Sequence, residues 1–224
     1  MLVGVLALQG DVAEHRAALA ELDVTSRPVR RPEDMSGLDG IVLPGGESTT
    51  ISMLLESSGL AEPLGKELAA GLPAFGTCAG MVLLASAISD GRPNQRCYGA
   101  IDLVVRRNGY GGQLDSFECD LEVASLGEAP LHGVFIRAPV VESVGSEVEV
   151  LAEVASKAGV APSGTRGDGR GAFAPGTGAD GSTTPAICRQ GSVLAAACHP
   201  ELTTDRRLHE LFVSMIEKSV RTND

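Results

Sequence analysis

A cysteine between two glycines, placed where an apolar run changes into a helix-like one, constrains the fold of this chain most. Residues 76–80 read Gly-Thr-Cys-Ala-Gly, after Leu-Pro-Ala-Phe and before Met-Val-Leu-Leu-Ala. Glycines at this spacing relieve crowding in a nucleophile elbow, a sharp turn from a strand into a helix. A thiol at a helix N-terminus also lies in a positive field that favours the thiolate. The stretch therefore predicts a strand, a turn that presents Cys78, and a helix, which is the local geometry of covalent acyl chemistry.

Short apolar runs alternate with helical patterns through the first half of the chain. Residues 2–8, 38–43 and 73–76 read as strands, and residues 11–22, 49–57 and 61–70 read as helices. Strands that alternate with helices form right-handed βαβ units. We therefore expect an α/β fold whose doubly wound, mostly parallel sheet is flanked by helices.

The alternation stops after Gly99, where strand-like runs follow one another without helices. These runs cover residues 101–106, 118–123, 133–137 and 148–154, and they predict an antiparallel strand patch. Residues 193–198 read as the last strand and residues 203–220 as a closing helix. Apolar residues at helical spacing predict the buried face of that helix: Leu208, Leu211, Phe212, Met215 and Ile216.

One segment, residues 157–185, does not fit either pattern. It consists mainly of Gly, Ser, Thr, Ala and Pro, a composition that buries too little apolar surface to offset the entropy of ordering. We expect a flexible insertion within a single domain that spans residues 1–224.

Charge and hydropathy exclude several classes of protein. Lys and Arg total 18 against 29 Asp and Glu, and the net charge of −11 opposes binding to nucleic acid or to an anionic membrane. No run approaches the ~20 apolar residues of a membrane span, and the N-terminus reads as a first strand and not as a signal peptide.

The cysteines lack C-x-x-C spacing, which predicts free thiols in a reducing cytoplasm. Four of them are expected to be small buried side chains: Cys97, Cys119, Cys188 and Cys198.

A cysteine nucleophile needs a base, and His199 is the histidine best placed to supply one. It follows the apolar run 193–198, and sites in open α/β sheets gather at the carboxyl ends of strands. Glu201 comes two residues later, a spacing that puts both side chains on one side of an extended chain. The carboxylate can then orient the imidazole and stabilise the imidazolium. The other histidines are assigned elsewhere: His15 to the first helix, His132 to a turn and His209 to the solvated face of the last helix.

The turn after the strand at residues 38–43 reads Pro-Gly-Gly-Glu-Ser-Thr-Thr. A plain strand-to-helix turn with Ser48 as helix cap is one interpretation. The other is an oxyanion hole, in which the N–H of Gly46 acts together with the N–H of Ala79.

Three motifs in this order, Pro-Gly-Gly-Glu-Ser, Gly-Thr-Cys-Ala-Gly and His-Pro-Glu, resemble those of the class I (triad-type) glutamine amidotransferases. More narrowly, the chain resembles the family of glutaminase subunits of pyridoxal 5′-phosphate synthase. The segments that carry this second resemblance are residues 4–10, Glu14 with His15, residues 107–111, Gln113, residues 115–118, 135–139 and 200–203. The resemblance covers nearly the whole chain, and the chain departs from the family in the longer, Gly-rich segment 157–185.

The resemblance implies a glutaminase that converts L-glutamine to L-glutamate and ammonia through a γ-glutamyl thioester. It assigns Cys78 as nucleophile, His199 as acid–base and Glu201 as orienting partner. It places the glutamine site at Gly46, Glu47, Ser48, Arg107, Ile136 and Arg137. Arg107 or Arg137 suits the α-carboxylate of glutamine, although either can also form a surface salt bridge. No metal and no cofactor are implied.

The resemblance also implies a hetero-oligomer, in which ammonia passes to a (β/α)8-barrel synthase subunit that makes pyridoxal phosphate. Glutaminases of this kind are idle alone, so we expect the turn at residues 44–48 to reorient when the partner docks. His15 is either part of the docking surface or a structural histidine. The alternatives are a glutaminase subunit for another acceptor, such as imidazole glycerol phosphate synthase, a non-catalytic scaffold subunit, and a cysteine peptidase or thiol-stress protein.

Overall fold

The computed structural model describes residues 1–107, 116–155 and 183–222, with side chains through residue 219. Numbered along the chain, the strands of its main sheet are β1 (Leu2–Leu6), β2 (Thr25–Val29), β3 (Gly40–Leu43), β4 (Ala74–Thr77), β10 (Glu149–Ala155), β11 (Thr183–Gln190) and β12 (Val193–Ala196). Their order in the sheet is β10-β11-β12-β4-β3-β1-β2. Strands β2, β1, β3, β4 and β12 are parallel, and β11 and β10 continue the sheet antiparallel. The expected mostly parallel α/β sheet is confirmed.

Parallel pairing brings the carboxyl ends of β1, β3, β4 and β12 to one edge of the sheet. The four segments that follow these strands therefore meet there. They are the turn before the first helix, the turn at residues 44–47, the elbow at Cys78, and residues 197–201. This edge is where the sequence places all of its candidate catalytic groups.

The described helices are α1 (Val12–Glu21), α2 (Ser48–Ser57), α3 (Ala61–Ala69), α4 (Ala79–Leu84) and α5 (Arg207–Thr222). The predicted buried face of α5 is largely confirmed, since Leu208, Phe212 and Ile216 are fully buried while Leu211 is only partly so. The predicted cap of α2 is wrong. Ser48 is the first residue of that helix, and Glu47 caps it by accepting hydrogen bonds from the N–H groups of Thr49 and Thr50.

The predicted antiparallel patch is present but divided among three sheets. Strand β6 (Ile101–Arg106) lies between β5 (Ala85–Ile88) and β9 (Val140–Val144) in a small second sheet. Strands β7 (Phe117–Leu121) and β8 (Leu131–Phe135) pair with each other, and β10 extends the main sheet. The sequence shows that these runs are extended, but pairing depends on long-range contacts that a run of apolar residues does not encode.

Strand β11 begins inside the segment predicted to be a flexible insertion. Thr183 and Thr184 pair with Ala155 and Val154 of β10, so the predicted boundary at residue 185 is wrong. Threonine fits a pleated surface well, which explains why a segment rich in small polar residues can end in a strand. Residues 157–182, the rest of the predicted insertion, lie outside the described residues.

Burial separates the cysteines into two groups. Cys188 and Cys198 are fully buried, as predicted, whereas Cys97 and Cys119 are partly exposed, so the prediction for those two is wrong. Among the helices that the structure describes, none is long and apolar enough to cross a membrane.

Candidate active site

Cys78 occupies a strained turn between β4 and α4. Its φ is 49° and its ψ is −105°, a backbone conformation that is uncommon for residues other than glycine and that often marks functional sites. Its N–H donates a hydrogen bond of 2.8 Å to the carbonyl oxygen of Ala196 on the neighbouring strand β12. A Cβ on Gly80 would lie 1.8 Å from the carbonyl oxygen of Leu43, so the turn requires glycine there. These features are those of the predicted elbow.

His199 and Glu201 follow β12, beside the elbow. The Nδ1 of His199 lies 2.9 Å from Oε1 of Glu201, and both side chains are buried. The backbone N–H of His199 donates to the carbonyl oxygen of Val134 on β8, which fixes the start of this segment. The Nε2 of His199 is buried without a hydrogen-bond partner among the described residues, so it is available to the Cys78 thiol.

The ionisation of this pair suits acid–base work. Burial opposes the charged form of His199, but the neighbouring Cys78 and Glu201 outweigh that effect and raise the pKa of His199 to about 10. Burial also opposes ionisation of Glu201, yet the nearby His15 and His199 hold the pKa of this carboxyl well below its ordinary value. At neutral pH the site therefore holds an imidazolium against a buried carboxylate, and the imidazolium can stabilise a thiolate.

The turn between β3 and α2 is tied to the turn after β1. Gly46 has a φ of 147°, and a Cβ there would lie 2.6 Å from Oε1 of Gln9. The N–H of Glu47 donates a hydrogen bond of 2.7 Å to the same oxygen. The side chain of Gln9 thus holds the turn in which the predicted oxyanion donor lies.

Arg107 lies against the N-terminus of α2. One of its guanidinium nitrogens donates a 2.9 Å hydrogen bond to Oγ1 of Thr49, and the same nitrogen is 4.0 Å from Oε1 of Glu47. Asp90 orients Arg107 from the other side, because its Oδ1 and its carbonyl oxygen accept hydrogen bonds from the backbone and the guanidinium of Arg107. Ser48 is buried, and its Oγ is 2.7 Å from Nε2 of Gln95. The structure thus brings together Arg107, Glu47 and Ser48.

Ile136 and Arg137 follow β8. The carbonyl oxygen of Ile136 is 3.8 Å from the sulfur of Cys78, so this predicted contact residue lies at the nucleophile. Arg137 has a φ of 48°, is exposed, and makes no ion pair with the described residues. Other residues of the family resemblance, namely 108–111, 113 and 115, lie outside the part of the chain that the structure describes.

Two histidines are placed differently from their predictions. His209, predicted to be solvated, is fully buried beside His15, and His132, predicted to lie in a turn, is part of strand β8. Of the two interpretations of His15, docking residue or structural histidine, its full burial favours the second. The prediction for His209 followed its polar neighbours in the sequence. Helical spacing was the better signal, because His209 is three residues before Phe212 and seven before Ile216 on the buried face of α5.

Asp11 is a further residue of the site that the sequence did not indicate. Its Oδ2 is 3.4 Å from Nδ1 of His199, and the ligand atoms of Asp11, His199 and Glu201 lie within 4.8 Å of one another. This spacing would suit a metal ion, but the Nδ1 nitrogen is already engaged by Glu201 at 2.9 Å. The donor set therefore fits an oriented imidazolium better than a metal centre.

Comparisons with known proteins show the family of this chain. The SNO glutamine amidotransferase family model matches residues 5–165. The pyridoxal 5′-phosphate synthase subunit PdxT of Rhodococcus opacus (strain B4) is 51% identical over 215 residues, which are 96% of this chain and 96% of that protein. The PdxT subunit of Acidothermus cellulolyticus is 49% identical over 219 residues, covering 98% of this chain and 95% of that protein.

Solved structures show the same relationship. A crystal structure of a glutamine amidotransferase is 42% identical, with a TM-score of 0.76, and the match covers 96% of this chain and 98% of that one. The structure of PurLQS from Thermotoga maritima is 14% identical with a TM-score of 0.60, covering 95% of this chain and 97% of that one, and shares the fold alone. From the family match and from relatives that are about half identical over nearly their full length, this chain belongs to the SNO glutamine amidotransferase family.

Proposed function

We propose that this protein is a single-domain glutaminase that hydrolyses L-glutamine and delivers the ammonia to a pyridoxal 5′-phosphate synthase subunit. One observation carries the proposal. Cys78 sits in a strained elbow at the end of β4, and the buried His199–Glu201 pair follows the adjacent strand β12 with a 2.9 Å hydrogen bond. A nucleophile, a base and an orienting acid at neighbouring strand ends are what acyl transfer requires.

The reaction follows from these positions. The Cys78 thiolate attacks the side-chain amide carbon of glutamine, and N–H groups of Gly46 and Ala79 donate hydrogen bonds to the oxyanion. His199 gives its Nε2 proton to the amide nitrogen, the carbon–nitrogen bond breaks, and ammonia leaves a γ-glutamyl thioester. His199 then takes a proton from water, the hydroxide attacks the thioester, and glutamate leaves as the thiolate re-forms.

Glutamine recognition is assigned to the surface beside the elbow. Arg107, which Asp90 and Thr49 hold in place, offers a planar pair of donors to the α-carboxylate, and Glu47 offers a charge to the α-ammonium group. Ser48 lies at the start of α2, the carbonyl oxygen of Ile136 is 3.8 Å from the sulfur of Cys78, and Arg137 is the next residue along the chain. A buried thioester between these groups is shielded from water until ammonia has left.

Partner docking is proposed to complete the oxyanion hole. The curated relatives are named as synthase subunits, which supports a hetero-oligomer. We assign the partner to a (β/α)8-barrel synthase subunit and the complex to the cytoplasm. The side chain of Gln9 accepts a hydrogen bond from the N–H of Glu47 and packs against Gly46. These contacts must therefore break before the peptide of Gly46 can reorient. The glutaminase is therefore expected to be slow without its partner.

The proposal is tested by measuring glutamate release from L-glutamine by the purified chain, with and without the cognate synthase barrel. We expect turnover that depends on the barrel and is lost in Cys78→Ala. Ammonia transfer to an imidazole glycerol phosphate synthase subunit serves as the control for a different acceptor. Complex formation without glutamate release would contradict the proposal and favour a scaffold, and equal turnover with and without the barrel would contradict the gating.

A further inference from the structure

A buried pair of histidines lies behind the proposed triad, on the side of Glu201 away from His199. The Nε2 of His15 is 3.4 Å from Oε2 of Glu201 and 3.1 Å from Oγ1 of Thr77, the residue before the nucleophile. The Nδ1 of His15 is 3.1 Å from Nε2 of His209. All four side chains are buried. The reaction described above uses neither His15 nor His209.

The partners of each ring nitrogen assign the protons. The Nδ1 of His209 is buried without a hydrogen-bond partner among the described residues, and an unpaired N–H there would cost more than an unpaired lone pair. The proton of His209 therefore sits on Nε2 and is donated to Nδ1 of His15. His15 then carries its own proton on Nε2, the nitrogen that faces Glu201 and Thr77.

Glu201 consequently has an imidazole against each of its oxygens. Its Oε1 is 2.9 Å from Nδ1 of His199, and its Oε2, which has no hydrogen-bond partner in the described part of the chain, makes an ion-pair contact of 3.4 Å with Nε2 of His15. These two contacts restrict rotation of the carboxylate away from His199. Three separate elements supply this support, since His15 lies on α1, His209 on α5 and Thr77 at the end of β4.

We infer that His15 and His209 are positioning residues, which fix the carboxylate of Glu201 and through it the tautomer and direction of His199. His15 acts on Glu201 directly, and His209 acts by setting the tautomer of His15. The inference rests on the proposed glutaminase function. It predicts that thiol activation at Cys78 depends on a histidine whose ring does not contact the thiol.

The test combines turnover with thiol chemistry in the full chain. In the complex with the synthase barrel, we expect His15→Leu to lower kcat at least about tenfold, part of what an acid–base group contributes, while KM for glutamine stays within about twofold. In the free chain, iodoacetamide labelling of the Cys78 peptide is followed by mass spectrometry across pH. We expect the midpoint of labelling in His15→Leu to move upward by about one pH unit, as for a lost hydrogen bond to a charged group.

Two further substitutions keep the test decisive if His15→Leu does not fold. His15→Gln places an amide N–H near the position of Nε2, and His15→Asn places it near Nδ1. We expect His15→Gln to keep kcat within about threefold and His15→Asn to lose about tenfold or more, because only the first keeps a donor toward Glu201. The exposed His132, which pairs with Glu118 and Asp120, provides the matched control His132→Leu.

The outcomes separate this inference from the proposed function. A folded His15→Leu variant with wild-type kcat and an unchanged labelling midpoint overturns the inference, as does equal activity of His15→Gln and His15→Asn. Absence of glutamate release by the wild-type complex instead overturns the proposed function. In that case the labelling profile still decides whether His15 acts on Cys78.

Discussion

Glu201 shows how much chemistry one buried side chain can organise. It lies between two imidazoles, since Oε1 is hydrogen-bonded to Nδ1 of His199 and Oε2 makes an ion-pair contact of 3.4 Å with Nε2 of His15. A single carboxylate oxygen could orient His199, but the second oxygen needs its own partner because an unsatisfied buried acceptor is destabilising. The hydrogen bond to His199 and the contact with His15 therefore belong to one arrangement.

Replacing Glu201 with Gln tests this arrangement at the level of one atom. An amide has one acceptor and one donor, so either His15 or His199 must then face an N–H instead of an oxygen. We expect kcat to fall by roughly 10³- to 10⁴-fold, as for acid-to-amide changes in other hydrolase triads. Glutamate release by the complex measures this loss. Retention of a tenth of the activity in Glu201→Gln would refute an orienting role for the carboxylate.

Gly80 tests the elbow itself. A Cβ would lie 1.8 Å from the carbonyl oxygen of Leu43, a backbone atom that cannot move without displacing β3. We expect Gly80→Ala to lower the free energy of unfolding by about 3 kcal/mol or more. Denaturant titration measures this change.

Gly191 supplies the matched control for Gly80. It has a φ of 55° and open space where a Cβ would lie, so Gly191→Ala introduces backbone strain but no steric clash. We expect this substitution to lower the free energy of unfolding by about 1 to 2 kcal/mol. Equal losses for the two variants would argue against close packing of β3 on the elbow.

At the scale of elements, the buried strands are the ones that the sequence predicts. Strands β1, β3, β4 and β12 consist mainly of apolar residues bounded by turns, and that pattern is sufficient to predict a buried strand. Strand β2 reads Thr-Ser-Arg-Pro-Val and lies at the edge of the sheet, where polar residues and proline are tolerated. Its sequence carries no apolar run, so no strand could be predicted there. Strand β5 follows α4 without a break, so the apolar sequence conceals the change from helix to strand.

The candidate site could be predicted where a residue with a catalytic side chain or backbone directly follows a strand that the sequence reveals. Cys78, His199 and Gly46 all follow readable strands, whereas Asp11 and His15 approach the site from α1 or its start. Their roles depend on how α1 packs against the sheet, and a weakly amphipathic helix with an Ala-rich middle gives little signal for that. Contacts between distant elements are what the sequence pattern leaves open.

The cluster formed by Asp90, Arg107 and the N-terminus of α2 leads to a prediction about substrate binding. Lysine keeps the charge of Arg107 but loses the planar donors that Thr49 and the proposed α-carboxylate share. We expect Arg107→Lys to raise KM for glutamine about fivefold, which corresponds to about 1 kcal/mol, with kcat little changed. Steady-state kinetics of the complex measure both constants.

Arg96 provides the same substitution outside the site. It pairs with Glu56 and Glu62, and Arg96→Lys is expected to leave KM unchanged. A lower kcat with unchanged KM in Arg107→Lys would instead place Arg107 in the chemical step.

For the whole molecule, the buried histidines set how stability depends on pH. Burial and the neighbouring His15 lower the pKa of His209 to about 3, against an ordinary value of 6.5. Below pH 6.5 the unfolded chain binds a proton at His209 that the folded chain does not, so stability falls as pH falls. His199 has the opposite sign, because its raised pKa gives stability that is complete below pH 6.5 and is lost as pH rises toward about 10.

We therefore expect the free energy of unfolding to be highest near pH 6.5, with His209 contributing up to about 1.4 kcal/mol per pH unit on the acid side. Urea titrations at pH 5, 6.5 and 8 measure the profile. His209→Gln removes the titrating group and should flatten the acid side, whereas His132→Gln, at an exposed site, should not. If the free energy of unfolding of His209→Gln fell with decreasing pH as steeply as that of the wild type, the assignment of this pH dependence to His209 would be contradicted.

The place of β12 in the sheet has a consequence for the order of synthesis. Strands β1 to β4 leave the ribosome early, yet the neighbour of β4 on one side is the last strand of the main sheet. Until residues 193–201 emerge, Cys78 has neither imidazole nor carboxylate beside it. In a nascent or prematurely terminated chain, Cys78 thus lacks the proposed base and orienting acid, and the candidate site is complete only once translation has passed the His-Pro-Glu motif.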